Sequence, residues 1–422
     1  MTTIRGHRTA WSALLMAIAL LLSCTSAPVA LPSPSSTASA TANPTPFSSA
    51  TASPRPDTEI AASGEVRGDH ALVLQASQQP AGVTGAMRFW DVPLDGTTPR
   101  QLVSYNRGDP HLTGWDAFDF SRQLSPDGRQ LVLTDPIDIA GAGLMVVDLV
   151  AGSSRLIPTS GGADRPAWSP DGQHIAYRGY VVAGALTKET GIWVVGATGG
   201  TPRQVVPGPL SGGGATQIYG WTEDGSGIVV GLDTSTTSVV NLATGTLTRI
   251  GGAAHGVASR AGRPSAAIVF EDEPSPAPTS TLRGAPGLTA RAGHLEVRDT
   301  TLASARTVAR YADEGTMLWD PKWNPRTNEI LMFWVCGAGV LERDEMVVVD
   351  GVTGARRALA TTSCVRSASW TADGAKILYL SGLQAVRLRN ADGANDRELF
   401  RPALPPGASD HVVISVAAFG PR

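Results

Sequence analysis

The residues that could carry out chemistry in this 422-residue chain do not form a known catalytic or metal-binding motif. The sequence has no G-x-S-x-G nucleophile elbow, no H-E-x-x-H motif and no C-x-x-C pair. Its histidines are scattered, and acidic groups such as Asp135 with Asp138 lack the regular ligand spacing of a calcium loop. The sequence therefore predicts no catalytic residue from a motif, no metal site and no cofactor.

Cys24 is the side chain whose position predicts a covalent modification. Arg5 and Arg8 precede an apolar run from Trp11 to Leu22, which is typical of a secretory signal and too short to span a bilayer. The end of this run, Leu-Leu-Ser-Cys, resembles the lipobox of bacterial lipoproteins. The resemblance implies a signal peptide over 1–23 and a lipid on Cys24. The alternative is ordinary secretion, with Cys24 discarded.

A low-complexity segment follows the signal. Residues 25–56 are mostly Ser, Thr, Ala and Pro, and Arg55 is their only charged residue. Such a composition buries too little apolar surface to offset the entropy lost on ordering. We therefore predict a disordered tether over 24–66 and a folded domain over 67–422. With the lipid, this predicts an exported protein anchored to the membrane on its extracytoplasmic side.

The folded domain is built from an internal repeat. Each copy has a large apolar anchor residue, then a tight turn, a returning apolar strand and a second hairpin with a Gly-containing turn. The clearest copies are PAWSPDG at 166–172, YGWTEDG at 219–225 and ASWTADG at 368–374. Glycine supplies the positive φ that such turns require. Recurring units of four antiparallel strands predict an all-β protein, a β-propeller.

The W-S-P-D-G turn followed by a strand resembles the WD40-like repeats of the TolB propeller and of related periplasmic propellers. The resemblance covers nearly all of residues 70–422 and implies the fold, but no particular activity. TolB has an additional α/β domain before its propeller, whereas only the tether is expected here. The resemblance therefore implies a relative of TolB and not TolB itself.

The blade number follows from the ends of the domain. Six copies of the inner strand end near residues 124, 168, 221, 258, 323 and 370, and residues 412–422 look like a seventh copy. Residues 70–77 look like a second strand with no first strand before it. We predict that the two ends pair within one blade and close a ring of seven four-stranded blades. Six blades is the alternative, because the copy at 256–270 is degenerate.

The loops of such blades differ between the two faces of the ring. Those after the first and third strands are short and define a tight-turn face, whereas those after the second and fourth strands are long and define a loop-rich face. Binding residues gather where variable loops lie on a rigid scaffold, although long loops also accumulate on unused faces. The predicted ligand-binding residues on the loop-rich face are Trp115, Asp116, Asp164, Arg165, Gln217, His255, Trp319, Asp320 and Arg366.

Two cysteines remain after Cys24. Cys336 ends the second strand of one blade and Cys364 precedes the first strand of the next, so both lie on the loop-rich face. Exported proteins mature in an oxidising compartment. We therefore predict a disulfide between Cys336 and Cys364; the alternative is two unrelated small core residues.

Two functions of different classes fit the sequence. The first is a binding module that holds a protein, a peptide or a glycan, since mixed charge with indole rings suits such ligands. The second is a propeller enzyme of the lyase or cyclotransferase type, with a site assembled from several blades at the mouth of the axial channel. The lack of a compact catalytic constellation favours the binding module. The near-neutral charge and the absence of a basic stripe predict no nucleic-acid partner, and we expect a monomer.

Overall fold

A computed structural model gives the architecture of the protein. It describes residues 58–60, 70–78, 87–105, 120–134, 143–183, 186–210, 216–232, 236–252, 254–259, 266–271, 293–299, 301–311, 318–334, 345–382, 385–403 and 410–419. All of these lie in the unit Ala52–Arg422. The predicted signal peptide and Cys24 lie outside the described residues.

The described residues form strands β1 to β28 and one turn of 3₁₀ helix, Phe120–Gln123, which precedes β5. The strands are β1 Thr58–Ile60, β2 His70–Gln78, β3 Met87–Pro93, β4 Arg100–Tyr105, β5 Gln130–Thr134, β6 Gly143–Asp148, β7 Ser153–Pro158, β8 Gly162–Trp168, β9 His174–Ala183, β10 Leu186–Gly196, β11 Arg203–Pro207, β12 Gln217–Trp221, β13 Gly227–Leu232, β14 Thr236–Asn241, β15 Leu247–Gly251, β16 Ala254–Ser259, β17 Ala266–Glu271, β18 Gly293–Arg298, β19 Ala305–Tyr311, β20 Leu318–Trp323, β21 Glu329–Trp334, β22 Glu345–Asp350, β23 Arg356–Ala360, β24 Val365–Trp370, β25 Lys376–Ser381, β26 Ala385–Asn390, β27 Arg397–Phe400 and β28 Asp410–Phe419.

These strands form seven antiparallel sheets, which are the blades of a ring. Blade 1 is β28-β2-β3-β4 with β1 outside it, and blades 2 to 7 are β5–β7, β8–β11, β12–β15, β16–β19, β20–β23 and β24–β27. The inner strands of neighbouring blades contact one another around the ring. This confirms the predicted seven-bladed propeller. The six-bladed alternative is wrong, because the degenerate copy at 256–270 forms β16 and β17 of a complete blade.

Blade 1 closes the ring by joining the two ends of the domain, as predicted. β28 pairs antiparallel with β2, from His70 opposite Phe419 to Gln78 opposite Asp410. β28 also contacts β24 of blade 7 and the 3₁₀ turn of blade 2. A further strand, β1, pairs with the outer edge of β4 and lies within the segment 24–66 that the sequence assigns to the tether. Blade 2 departs from the regular pattern, since its inner strand is reduced to one bridge between Leu124 and Leu131.

Three of the anchor tryptophans connect their blades to the preceding ones. The indole N–H donates to the backbone carbonyl of the residue just before the anchor position of the preceding blade. The bonds run from Trp168 to Gln123 (2.8 Å), from Trp221 to Ala167 (3.0 Å) and from Trp370 to Lys322 (2.9 Å). All three side chains are buried. The repeated tryptophan thus fills the space between blades and also fixes their relative position.

A second set of hydrogen bonds connects five of the blades to the blades that follow them. An arginine of the outer strand donates to a backbone carbonyl just after the third strand of the next blade. The pairs are Arg155 with Ala197 (2.7 Å), Arg203 with Leu242 (3.1 Å), Arg306 with Val352 (2.9 Å), Arg357 with Ala391 (2.7 Å) and Arg397 with Leu94 (2.7 Å). The tryptophans thus join the blades at their inner strands, and the arginines join them at their outer strands.

The turn after the inner strand is stabilised by a hydroxyl–carboxylate pair. Ser169 Oγ donates to Asp171 Oδ1 (2.5 Å), and Thr371 Oγ1 donates to Asp373 Oδ1 (2.6 Å). Each carboxylate also accepts a backbone N–H two residues on. The hydroxyl hydrogen bond, with help from the backbone N–H, lowers the pKa of Asp171 and of Asp373 below the ordinary value.

We expect the double variant Asp171→Asn, Asp373→Asn to lose stability less steeply in acid than the parent protein. A carboxylate whose pKa is lowered in the folded state contributes stability above the unfolded value near 4, and this contribution disappears as the pH falls through the lowered pKa. Asn keeps an acceptor oxygen but does not titrate. Melting temperatures measured from about pH 6 to about pH 2 check this. The matched control is Asp392→Asn, in an exposed turn of blade 7; equal slopes for all three proteins would contradict the prediction.

Candidate functional site

Bulges mark the wall of the axial channel. In the described residues, the inner strand of each of six blades contains one or two extra residues that have no partner on the second strand. These extra residues come before the anchor residue, in the half of the strand that starts at the loop-rich face. They are Arg165 with Pro166, Tyr219, His255, Asp320 with Pro321, Arg366 and Ile414. A bulge interrupts the ladder and changes the direction of the strand, and bulges are common beside functional sites. Four predicted ligand-binding residues, Arg165, His255, Asp320 and Arg366, stand at these positions.

Gly and Pro explain why several of these strands bulge. Gly220 and Gly256 follow the extra residues Tyr219 and His255, and their φ angles of 146° and 158° are accessible to glycine. Pro166 follows Arg165 and has no N–H to donate to a ladder. A Gly or Pro one or two residues before the anchor position was therefore the sequence signal for these bulges.

Arg165 has the least common backbone conformation of the described site residues. Its φ of 53° lies in the left-handed region, and its residue surface is only 9% exposed. A non-glycine residue in this region costs about 1–2 kcal/mol. Such strain is concentrated at functional sites, where the surrounding structure maintains it. The geometry therefore distinguishes Arg165 from the other nominated residues whose side chains are described.

Arg165 belongs to a group of three side chains from three blades, Arg122, Arg165 and Tyr219, which we call the channel cluster. The Tyr219 hydroxyl donates to the carbonyl of Ala254 (2.8 Å). Burial raises the pKa of Tyr219 to about 12, and the positive charges of Arg122 and Arg165 oppose this rise. Arg122 Nη1 donates to the carbonyl of Ile218, so this side chain reaches from blade 2 to blade 4. The cluster thus brings two guanidinium groups close to one protonated phenol.

Asp164 and Gln217 lie beside the cluster in a different environment. Arg178 binds Asp164 with two nitrogens, one at 2.7 Å from Oδ1, and a third nitrogen lies 3.9 Å from Glu189 Oε2. Glu189 in turn accepts the Thr216 hydroxyl (2.8 Å), directly before Gln217. Asp164 therefore stabilises blade 3 and its connection to blade 4, while Gln217 begins β12 on the loop-rich face and is partly buried.

The other nominated residues are placed only in part. The strand positions of His255, Trp319, Asp320 and Arg366 are described, but their side chains are not. Trp115 and Asp116 lie outside the described residues. Sequence reasoning missed Arg122 and Tyr219. Tyr219 stood directly before the Gly-Trp pair of its repeat and could have been found there, whereas Arg122 has no such signal.

Cys364 precedes β24, and its carbonyl accepts the N–H of Gly382 (2.8 Å). Cys364 is disulfide-bonded, while Cys336 lies outside the described residues, so the pairing of the two stays a prediction. We expect non-reducing peptide mapping of the mature protein to yield a linked 336–364 peptide. Closing this loop is expected to stabilise the fold by about 3 kcal/mol in the chain-entropy model. Recovery of two alkylatable thiols would refute the bridge.

Two general features bear on the chemistry of the described residues. No group of three or more His, Cys, Asp or Glu side chains among them could hold a metal ion. No helix in the part of the chain that the structure describes is long and apolar enough to cross a membrane.

The fold defines the class of protein: a seven-bladed β-propeller. Neither a family model nor a curated protein sequence matches the chain. Solved structures that are similar include a putative TolB from Agrobacterium tumefaciens, with 19% identity over 66% of this chain and 79% of that chain and a TM-score of 0.36. An oligogalacturonate lyase in complex with manganese matches with 12% identity over 82% and 76% of the two chains, at a TM-score of 0.37. Dipeptidyl peptidase 4 of Porphyromonas gingivalis matches with 12% identity over 66% and 46%, at 0.46.

Proposed function

We propose that the protein is a lipid-anchored extracytoplasmic binding module that holds a ligand at the mouth of the axial channel on its loop-rich face. The observation that carries this proposal is the set of inner-strand bulges on that side of the ring, with buried Arg165 in a left-handed conformation beside Arg122 and Tyr219. A rigid ring that presents strained and buried polar groups among long loops is suited to binding.

The charges of the described residues favour binding over catalysis. With a pKa raised to about 12, Tyr219 is protonated near neutral pH and acts as a hydrogen-bond donor rather than as a base. Asp164 is engaged by Arg178 in an ion pair within blade 3. Guanidinium groups bind anions well but exchange protons poorly, because arginine stays protonated in proteins.

A propeller enzyme of the lyase or cyclotransferase type is the second candidate. The observation in its favour is that His255 and Asp320, two residue types that transfer protons, occupy bulge positions in neighbouring blades. If this candidate holds, His255→Ala abolishes turnover of a bound ligand while leaving its affinity within a few-fold of the parent value.

Capture of the ligand by variants of the two faces tests the binding proposal. The full-length lipidated protein is extracted from membranes in mild detergent, and the co-purifying material is compared by mass spectrometry. We expect Gln217→Trp, which adds bulk on the loop-rich face, to lose the captured ligand. Val352→Trp is the matched control, because Val352 is 57% exposed in a turn of the tight-turn face. Equal capture by both variants, at unchanged melting temperature, would contradict the proposal.

Lipid anchoring has its own prediction. Replacing Cys24 with Ala is expected to release the protein from the membrane fraction or to block its maturation. As a flexible coil, the predicted tether would allow the propeller to stand on the order of 30 Å from the membrane. Fractionation and intact-mass measurement check this. A processed Cys24→Ala protein of normal size that stays in the membrane fraction would show that lipidation is wrong.

A further inference from the structure

We propose that the outer edge of β4 in blade 1 is a binding site for an extended acidic segment of a partner protein, which adds to the blade as a strand and places a carboxylate near Arg88. This site lies on the rim of the ring and is separate from the proposed ligand site at the channel mouth. In this structure the edge is occupied by the chain's own strand β1, Thr58–Ile60.

The half of β4 that β1 covers lacks the usual protection of a sheet edge. Edge strands avoid pairing with other chains by carrying charges or prolines. The outer strands β7 and β11 end in Pro158 and Pro207, and β15 contains Arg249. β4 begins with Arg100 but has neither a charge nor a proline from Leu102 to Tyr105. This part of the edge is therefore suited to accept an additional strand, and β1 shows that it does so.

β1 occupies the edge only in part. It pairs with Val103, Ser104 and Tyr105, so the first three of the six positions of β4 have no strand beside them among the described residues. Short pairings near the end of a chain open more readily than the core of a sheet. A longer strand that pairs with the whole of β4 would form more backbone hydrogen bonds than β1 and would displace it.

Arg88 provides the charge that selects an acidic strand. It lies opposite Gln75 of β2 and opposite Ser104 of β4, and Ser104 in turn lies opposite Glu59 of β1. The four positions therefore form one row across blade 1. The Arg88 guanidinium forms no ion pair with a described residue, and its buried Nε has no hydrogen-bond partner there. A carboxylate that reached it would form a strong, charge-assisted bond.

The spacing of this row permits such a bond. Neighbouring strands lie about 4.8 Å apart, so a residue added opposite Ser104 stands about 9.6 Å from Arg88. Serine has a short side chain, and the long side chains of arginine and glutamate extend toward each other over it. The sequence of β1 matches this requirement, because it has Glu59 at that position. β1 is thus an internal copy of the acidic strand that we expect the site to bind.

Binding of strand peptides to the mature full chain tests the inference. The probes are a labelled peptide with blocked ends, STVTEITVS, and its glutamine counterpart, STVTQITVS. We expect the glutamate peptide to bind the released variant, Glu59→Pro with Ile60→Pro, about tenfold or more tightly than it binds the parent protein. N–H groups of adjacent strand residues point to opposite sides, so one of the two prolines removes a donor from the ladder between β1 and β4.

A substitution of Arg88 tests the charge. Arg88→Gln, added to the released variant, is expected to lower the affinity for the glutamate peptide about tenfold and to leave the affinity for the glutamine peptide unchanged. Arg129→Gln is the matched control, since Arg129 is an exposed arginine of blade 2; it should change neither affinity. Melting temperatures of all variants confirm that they are folded.

A disulfide lock tests the place. Opposite residues of an antiparallel pair have Cα atoms about 4.5–5.5 Å apart, a distance that a disulfide can bridge. Glu59→Cys with Ser104→Cys is therefore expected to link β1 to β4 and to abolish peptide binding. Glu59→Cys with Gln101→Cys is the control, because these two residues are not opposite each other; this pair should not link.

Four results would overturn the inference: no cross-link between positions 59 and 104, peptide binding by the locked protein, equal affinity for the two peptides, or undiminished binding in Arg88→Gln. Dimerisation of the released variant in size-exclusion chromatography without peptide binding would assign the edge to a second copy and would also overturn it. If Gln217→Trp abolishes peptide binding, the peptide belongs to the channel mouth; the site on β4 is then wrong and the proposed function stands.

Discussion

Removing residues 412–422 is expected to abolish the cooperative unfolding of the propeller or to lower its melting temperature by 10 °C or more, a shift of about the size that the loss of several kcal/mol produces. The deletion removes nearly all of β28, which pairs with β2 along its length. It would uncover Ala71, Leu72, Val73 and Leu74, all of which are at most 3% exposed in the closed ring. Burial of one such side chain contributes about 1.5–3 kcal/mol, and a domain is stable by only about 5–15 kcal/mol.

The same truncation should leave β2 as an open sheet edge that promotes association between molecules. Thermal unfolding and size-exclusion chromatography measure both effects. Deletion of residues 420–422 alone is the control, because these residues follow β28. A synthetic peptide of residues 408–422, added in excess, is expected to restore part of the lost stability. A 412–422 deletion that is monomeric and melts at the parental temperature would contradict closure by the terminal strands.

Trp168→Ala is expected to destabilise the protein by about 3–5 kcal/mol, the usual cost of truncating a buried tryptophan. The Trp168 side chain packs with Val132 and Leu144 of blade 2 and with Ile175 of its own blade. It also donates its indole N–H to the Gln123 carbonyl. Truncation therefore leaves a cavity between two blades and an unpaired buried carbonyl at the same place.

Trp168→Phe separates these two effects. Phenylalanine retains most of the buried ring but cannot donate to Gln123, so we expect a loss of about 1–3 kcal/mol from the unsatisfied carbonyl together with a small packing defect. Chemical denaturation with matched slopes gives both values. Val352→Ala, at an exposed position, is the control and should be nearly neutral. Parental stability of Trp168→Phe would show that the bond to Gln123 contributes nothing.

The fold could be predicted from the sequence because its signals are local. The turn chemistry around Asp171, the anchor Trp168 and the strand alternation after them recur along the chain, and each copy specifies one hairpin. The closure of the ring followed from the same repeat, since incomplete units at the two ends complement each other. The reduced inner strand of blade 2 was not predicted, although Leu124 in place of tryptophan already distinguishes that copy.

The site could be predicted only in outline, because its members come from different repeats. The loop-rich face and Arg165 could be predicted from the position of each residue relative to the anchor of its repeat. Arg122 could not be found in this way: it lies in the 3₁₀ turn that replaces an inner strand, and its role depends on reaching a carbonyl about 96 positions later in the chain. Asp164 was predicted as a ligand-binding residue for the same reason as Arg165, its position relative to the anchor. Its carboxylate, however, binds Arg178 within its own blade.

In-cell photo-crosslinking tests the central claim most directly, that the mouth of the channel on the loop-rich face is where this propeller holds its ligand. A photoreactive phenylalanine derivative is introduced at Gln217 in one strain and at Val352 in another, and each is irradiated in intact cells. We predict a discrete covalent adduct from position 217 that is absent from position 352 and is diminished by the added substitution Arg165→Gly. Adducts from position 352 alone, or the same adducts from both positions, would contradict the account.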